Sequence, residues 1–115
     1  MVGPADTDDG VYVPGQGDWT RERLEQLRRA VLPYPGASTL LDLASEHADE
    51  VINYTTVVER AGIPDRQVRS ELGAMTKASR RLFGQKIWPL RAWQGRDGIM
   101  RYQMPGPIAR WWQTR

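Results

Sequence analysis

The sequence predicts a small domain that is mainly α-helical, with one β-hairpin near its C-terminus (class α+β). Apolar residues recur every three or four positions over 19–32, 39–48, 54–61 and 66–83, the spacing of helices with one buried face. KIWPLRAW and IMRYQM, joined by QGRDG, are typical of two strands and a turn, and PIARWW predicts a last short helix. A chain of 115 residues suits a single domain.

The boundaries of the first two helices follow from capping and helix-breaking residues. Asp18 is a good N-cap for the helix over 19–32, and the segment PYPG at 33–36 is expected to end that helix. Ser38 or Thr39 is then the expected cap of the second helix, TLLDLASEHA. The β-branched segment EVIN after it predicts one small additional strand.

The segment AGIPD carries the signals of a tight turn between two helices. Gly62 stands where a helix ends in a left-handed residue, and Ile63 is the apolar residue expected to pack inside the turn. Pro64 prevents the first helix from continuing, and Asp65 is the expected N-cap of a helix over 66–83.

The helix over 66–83 is predicted to have two different faces. Its apolar stripe consists of Val68, Leu72, Met75, Ser79 and Leu82. The residues away from that stripe are Arg66, Arg69, Ser70, Gly73, Thr76, Lys77 and Arg80. Such a division indicates one side in the core and one basic side in solvent.

The order of elements over 37–104 resembles the winged helix-turn-helix fold. YTTVVERAGIPDRQVRSELGAM is similar to its helix-turn-helix (about 54–83), and KIWPLRAWQGRDGIMRYQM is similar to its wing hairpin (about 86–104). The resemblance implies one domain over 18–115, in which helix 19–32 and the final IARWW are additions to the minimal fold. RQVRSELGAMTKASRRLFG, WPL, RYQMP and IARWW are also similar to a group of small actinobacterial proteins, which implies no function.

The charge is distributed unevenly, although the net charge is only +2. Residues 1–50 hold four Arg and ten Asp or Glu, whereas residues 51–115 hold twelve Lys or Arg and four Asp or Glu. The basic half is where a polyanion is expected to bind. The alternative is that the two halves neutralise each other within one fold.

The resemblance implies that the second helix of the motif enters the DNA major groove with its N-terminal residues nearest the bases. These residues are Arg66, Gln67, Arg69 and Ser70. Arginine can donate two hydrogen bonds to guanine, and glutamine can form the matching pair with adenine. The expected partner is therefore double-stranded DNA, bound by a transcriptional regulator that needs no cofactor.

Residues farther along the helix are expected to hold DNA phosphates, which adds affinity without sequence information. They are Thr76, Lys77, Arg80 and Arg81. Arg96 is a candidate contact at the tip of the predicted wing, although Asp97 beside it repels phosphate. Gly73 fits two interpretations, a close approach of the helix backbone to DNA and close packing against another helix.

The helix dipole accounts for cations near the C-terminus of this helix but not for Arg66 and Arg69 near its N-terminus. Cations in that place call for an acidic neighbour, for which Asp65 and Glu71 are candidates, or for an anionic ligand.

Five tryptophans can serve the core or form a stacking platform for single-stranded nucleic acid. A small domain needs large apolar side chains, so the core is the preferred interpretation, above all for Trp88 and Trp111. Trp93 and Trp112 are left open, because neighbouring positions cannot all face inward.

Catalytic and metal chemistry find little support in the composition. There is no cysteine, and the one histidine, His47, lies among acids in SEHADE with no recognisable metal or catalytic spacing. The expectation is therefore a protein that is not an enzyme. No apolar run approaches the roughly 20 residues of a membrane span and no signal-peptide pattern is present, so a cytoplasmic location is expected.

Three questions stay open at this level. The main alternative to DNA binding is a winged-helix module that binds protein, suggested by the acidic half and the extra helix. Residues 1–17 are predicted to be a flexible acidic tail, which is a candidate inhibitor of the basic face. The helix over 19–32 either covers the domain or pairs with its copy, and a homodimer is the favoured expectation, because two half-sites multiply specificity for DNA.

Overall fold

The computed structural model describes residues 18–114, so the predicted tail over 1–17 lies outside the described residues. The helices of this part are α1 (Arg21–Val31), α2 (Pro35–Glu46), α3 (Tyr54–Ala61), α4 (Asp65–Phe83) and α5 (Gly106–Gln113). The strands are β1 (Ile52–Asn53), β2 (Arg91–Gln94) and β3 (Met100–Gln103). The predicted class, mainly helical α+β, is confirmed.

Helix α1 begins two residues later than predicted, because Thr20 and not Asp18 is its N-cap. The Thr20 hydroxyl accepts a hydrogen bond from the Arg23 backbone N–H at 3.1 Å. Asp18 contributes its backbone carbonyl, which accepts from the Arg23 guanidinium at 2.8 Å. The predicted apolar stripe of α1 is buried at Leu24, Leu27 and Val31. Leu32, at the end of the helix, is 74% exposed.

Helix α2 begins inside the segment that was expected only to break a helix. Pro35 is at its first turn, where the missing N–H has no intrahelical partner to lose and the fixed φ suits a helix. The prediction of Ser38 or Thr39 as the cap is therefore wrong. The Ser38 hydroxyl instead donates to the Val31 carbonyl at 2.9 Å, which ties α2 to the end of α1.

The turn between α3 and α4 has the predicted glycine but a different cap. Gly62 is left-handed with φ +68°, and its N–H donates to the Val58 carbonyl at 3.1 Å. Pro64 occupies the N-cap position of α4, and Asp65 is the first helical residue. The prediction of Asp65 as the N-cap is wrong, because its carboxylate bonds to side chains and not to the helix backbone.

The predicted stripe of α4 is buried at Val68, Leu72, Met75 and Ser79 but not at its last member, Leu82. Leu82 is 37% exposed, and Phe83 takes the inward position, with its ring edge-on to Trp19 at a centroid distance of 5.4 Å. Glu71 is also buried on this side of α4, although its side chain carries a carboxyl group.

The three strands form one antiparallel sheet in the order β1-β3-β2. The predicted extra strand and hairpin are therefore present, although β2 begins at Arg91 and residues 86–90 are not strand. Tyr102, in the central strand, pairs with Ile52 on one side and Ala92 on the other. It is 1% exposed, so the sheet closes one side of the core.

Helix α5 packs over α1 and α2 through Trp112, which is 1% exposed. The Trp112 indole N–H donates to Asp42 at 2.8 Å, and the Arg28 guanidinium lies 3.9 Å from its ring centroid. The sequence predicted Trp111 in the core, but Trp111 is only half-buried and Trp112 has the interior position. Trp88 is also only half-buried.

Candidate nucleic-acid interface

Six exposed residues of α4 form one continuous strip along the side of the helix that faces away from the core. They are Arg66, Ser70, Gly73, Lys77, Arg80 and Arg81, and together they are called the basic face. Their spacing of three or four residues places them on one side of a 3.6-residue helix. At 1.5 Å per residue the strip is about 22 Å long. It carries four cations and no acidic residue.

Gly73 lies in the middle of the basic face and has no structural reason to be glycine. Apart from the backbone of its own helical turns and its chain neighbours, a Cβ added to Gly73 would meet no atom of the described residues within 4 Å. The interpretation of close packing against another helix of this domain is therefore excluded for residues 18–114. A glycine inside a helix destabilises it by about 0.5–1 kcal/mol relative to alanine. The bare backbone leaves room for an external partner to approach closely.

Arg66, Ser70 and Lys77 have side chains available for such a partner. No ion pair or side-chain hydrogen bond joins them to another of the described residues. Arg66 lies in the first turn of α4, where the helix dipole disfavours a cation. Asp65 and Glu71 are hydrogen-bonded to other groups, so neither is a direct partner of Arg66. Arg66 is therefore an exposed cation with no acidic contact among residues 18–114.

Arg69 is held at the edge of the basic face by an acidic neighbour, as the sequence suggested. Its Nε lies 3.3 Å from Asp65 Oδ1, and its guanidinium lies 5.7 Å from the centroid of the Tyr54 ring. The hydrogen bond that Tyr54 donates to Asp65, at 2.6 Å, is the main reason that the pKa of Asp65 falls below its usual value. Arg69 is still 71% exposed, so it is free to exchange partners with solvent or a ligand.

Gln67 is turned away from the other predicted base-reading residues. Its side-chain amide donates to Glu71 Oε2 at 2.8 Å. Glu71 is buried, and its other oxygen accepts from the Gly36 backbone N–H at 2.5 Å. Gln67 thus helps to hold the carboxylate that joins α4 to the first turn of α2.

Thr76, a predicted phosphate contact, lies at the margin of the basic face and not on it. It is half-buried, its hydroxyl accepts from the Trp88 indole N–H at 3.1 Å, and it donates to the Leu72 carbonyl at 3.3 Å. Sequence spacing alone did not distinguish it from Lys77, because it lies at the margin between the exposed and the buried side. Its role here is to position Trp88.

Arg96 is exposed at the tip of the hairpin between β2 and β3. The predicted repulsion from Asp97 is weakened, because Arg101 Nη2 lies 2.8 Å from Asp97 Oδ2. This ion-paired hydrogen bond is the largest cause of the lowered pKa of Asp97, and the Ile99 N–H adds to it at 3.0 Å. Arg96 is thereby the cation of the tip that has no acidic partner among residues 18–114.

The side chains between α4 and the hairpin enclose a cleft of about 530 Å³, which was not anticipated from the sequence. Tyr54, Arg69 and Trp88 line it together with residues of the hairpin. These residues come from four separate segments, so no local spacing signals the cleft. The one available signal was the set of aromatic residues beside the predicted turn and wing.

A metal-binding cluster and a membrane-spanning helix are both absent from the part of the chain that the structure describes. No three or more acidic or histidine side chains of residues 18–114 are placed to hold a metal ion. None of the helices there is long and apolar enough to cross a membrane. No protein-family model, curated protein or solved structure matches the chain.

Proposed function

We propose that this protein has a winged-helix fold, binds double-stranded DNA through α4 and the hairpin, and acts as a transcriptional regulator. The observation that carries the proposal is the basic face, a strip of four unopposed cations on a helix whose central residue is an exposed glycine. The element order α2-β1-α3-α4-β2-β3 and the sheet order β1-β3-β2 support the winged-helix assignment.

The proposed roles follow from position along α4. Arg66 and Ser70, at the N-terminal end, contact base edges, and Arg69 joins them when it leaves Asp65. Lys77, Arg80 and Arg81 hold phosphates, and Arg96 contacts the DNA from the hairpin. Gln67 reads a base only if its bond to Glu71 is exchanged, so its share in sequence selection is the smallest.

The salt dependence of binding to random-sequence duplex DNA tests the proposal most directly. Four to six phosphate contacts release enough counterions to give a log–log slope of about −4 to −5. Lys77→Ala should reduce that slope by about one and weaken binding to all sequences alike. Arg66→Ala should instead relax the preference in a selected DNA site.

Arg110→Ala is the matched control, because it removes one exposed arginine from α5, a helix that packs on α1 and α2 and carries none of the basic face. It should leave the slope unchanged. The protein-binding alternative predicts the opposite result, namely no salt-dependent DNA affinity even at low salt and a partner that survives nuclease treatment.

A further inference from the structure

The cleft between α4 and the hairpin has the size of a small-molecule site. Its volume of about 530 Å³ lies within the roughly 300–1,000 Å³ that such sites occupy. Tyr54 and Thr55 border it at the start of α3, Asp65 and Arg69 at the start of α4. Hairpin residues form the opposite wall, so the cleft lies between the starts of α3 and α4 on one side and the hairpin on the other.

The interior of the cleft is lined by apolar and aromatic side chains. Leu72, Met100 and the half-buried ring of Trp88 form this lining, and the almost fully buried ring of Tyr102 lies behind them. The two rings are stacked with centroids 6.4 Å apart and an angle of 30° between their planes. Aromatic walls favour a planar aromatic guest, since ring pairs gain energy from offset-stacked and edge-to-face contacts.

The polar end of the cleft has no net charge but keeps one open acceptor. Asp65 Oδ1 accepts from the Tyr54 hydroxyl at 2.6 Å and from Arg69 Nε at 3.3 Å. Asp65 Oδ2 accepts no hydrogen bond from residues 18–114. Because Asp65 and Arg69 pair with each other, an ionic ligand would have to displace one of them in addition to losing its own hydration.

We propose that this cleft binds a small, neutral, planar aromatic molecule that carries an N–H or O–H donor. The ring of the ligand lies against the aromatic lining, and its donor bonds to Asp65 Oδ2. The proposal does not depend on DNA binding, since none of the basic face lines the cleft, although Arg69 lines it and is also proposed to contact DNA.

Indole is the probe for the test, because it is neutral, planar and has one N–H. Titration of the full chain, followed by two-dimensional NMR, should shift the amide signals of Tyr54, Leu72 and Met100 in a saturable way. For a probe of this size the expected Kd is roughly 0.1–1 mM. N-methylindole, which lacks the donor, should bind about fivefold or more weakly.

Two variants at neighbouring positions of α3 distinguish indole binding in the cleft from nonspecific binding. Thr55 and Thr56 are both exposed, but only Thr55 borders the cleft. Thr55→Phe should weaken indole binding about tenfold by filling the opening, and Thr56→Phe should leave it unchanged. Absence of saturable binding, or equal affinity of both variants and wild type, would overturn the proposal. Equal affinity for indole and N-methylindole would overturn the role of Asp65.

Discussion

At the scale of single residues, Gly73 is the clearest case of a residue that the packing of the domain does not require. Most glycines in a fold relieve a steric conflict or adopt a positive φ, as Gly62 does at +68°. Gly73 does neither, because it is helical and has open space where a side chain would be. Its presence at the centre of the basic face therefore lowers helix stability with no gain inside the domain.

Replacing Gly73 by Gln should stabilise the protein and weaken its binding to DNA. Removing a mid-helix glycine is expected to raise the free energy of unfolding by about 0.5–1 kcal/mol, measured by urea denaturation. The added side chain should also lower duplex affinity by about tenfold, measured by fluorescence anisotropy, if DNA approaches the backbone there. Increased stability with unchanged affinity would argue against contact at this position.

Glu71 is the residue whose role the sequence concealed. A glutamate on a helix with a basic side looks like a surface partner for Arg66 or Arg69. The fold turns it inward, where it accepts a hydrogen bond from the Gly36 N–H and leaves no space for a side chain at that position. A Cβ on Gly36 would lie 2.9 Å from Glu71 Oε1.

Glu71→Ala should therefore destabilise the fold more than Gln67→Ala, a substitution of its exposed hydrogen-bond partner. The change leaves the buried Gly36 N–H without its acceptor, which is expected to lower the free energy of unfolding by about 1–3 kcal/mol. Gln67→Ala removes only the exposed donor to the same carboxylate and should cost less than about 0.5 kcal/mol. Equal losses in urea denaturation would show that the Gly36 bond contributes little.

At the scale of elements, the α3–α4 pair is joined by the polar cluster of Tyr54, Asp65 and Arg69. The hydroxyl of Tyr54, the first residue of α3, donates to Asp65, the first residue of α4. Desolvation by burial is the largest cause of the raised pKa of Tyr54, and the bond to Asp65 adds to it. The cluster holds the two helix starts together on the side where Arg69 meets the cleft.

The pH dependence of this cluster has a definite sign. The pKa of Asp65 is lower in the folded protein than its ordinary value of 3.8, mainly because Tyr54 donates a hydrogen bond to it. Its contribution to stability is therefore complete above the unfolded pKa and disappears as the pH falls through the lower folded pKa. Tyr54→Phe should move the pKa of Asp65 back towards 3.8 in an NMR titration.

Asp97 provides the internal control for that titration. Its pKa is also lowered, but by Arg101 and the Ile99 N–H in the hairpin. The Tyr54→Phe change should leave the Asp97 pKa where it is. A parallel shift of both carboxyl groups would point to a general change in structure and not to the loss of one hydrogen bond.

At the scale of the whole molecule, the first and last helices complete the core around the central helices. Trp19, the stripe of α1 and Trp112 of α5 are all within one buried cluster with α2 and α4. The apolar stripe of α1 is thereby used inside the chain. Its outward side carries Arg21, Glu22, Glu25 and Arg29, which gives a copy little apolar surface to bind.

Sedimentation equilibrium at about 10 μM should consequently show a monomer in the absence of DNA. Standard protein interfaces bury roughly 1,200–2,000 Å², an area that the charged side of α1 is poorly suited to supply. Leu32, which is 74% exposed, is the apolar residue on which pairing through α1 would depend. A dimer that Leu32→Glu dissociates would restore the homodimer predicted from the sequence.

The sequence by itself determined the elements whose signals are local. The α3–α4 turn followed from a glycine, a proline and their spacing, and the α4 core stripe followed from the helical period up to Ser79. The exposed side of α4 follows from the same period, because residues opposite a buried stripe have only solvent to face.

Only the tertiary structure decided which of the polar residues expected at the surface are hydrogen-bonded to other side chains or to the backbone. Thr76, Gln67 and Glu71 are polar residues that the sequence alone would place on the surface. In the fold Trp88 donates a hydrogen bond to Thr76, and the Gly36 N–H donates one to Glu71. Gln67 in turn donates to Glu71. The starts of α1 after Thr20 and of α2 at Pro35 were mispredicted although both rest on local features, an N-cap hydroxyl and a proline in the first helical turn. Hydrogen bonds between residues far apart in sequence leave no periodic signal, so neither these pairings nor the aromatic cleft was readable before folding.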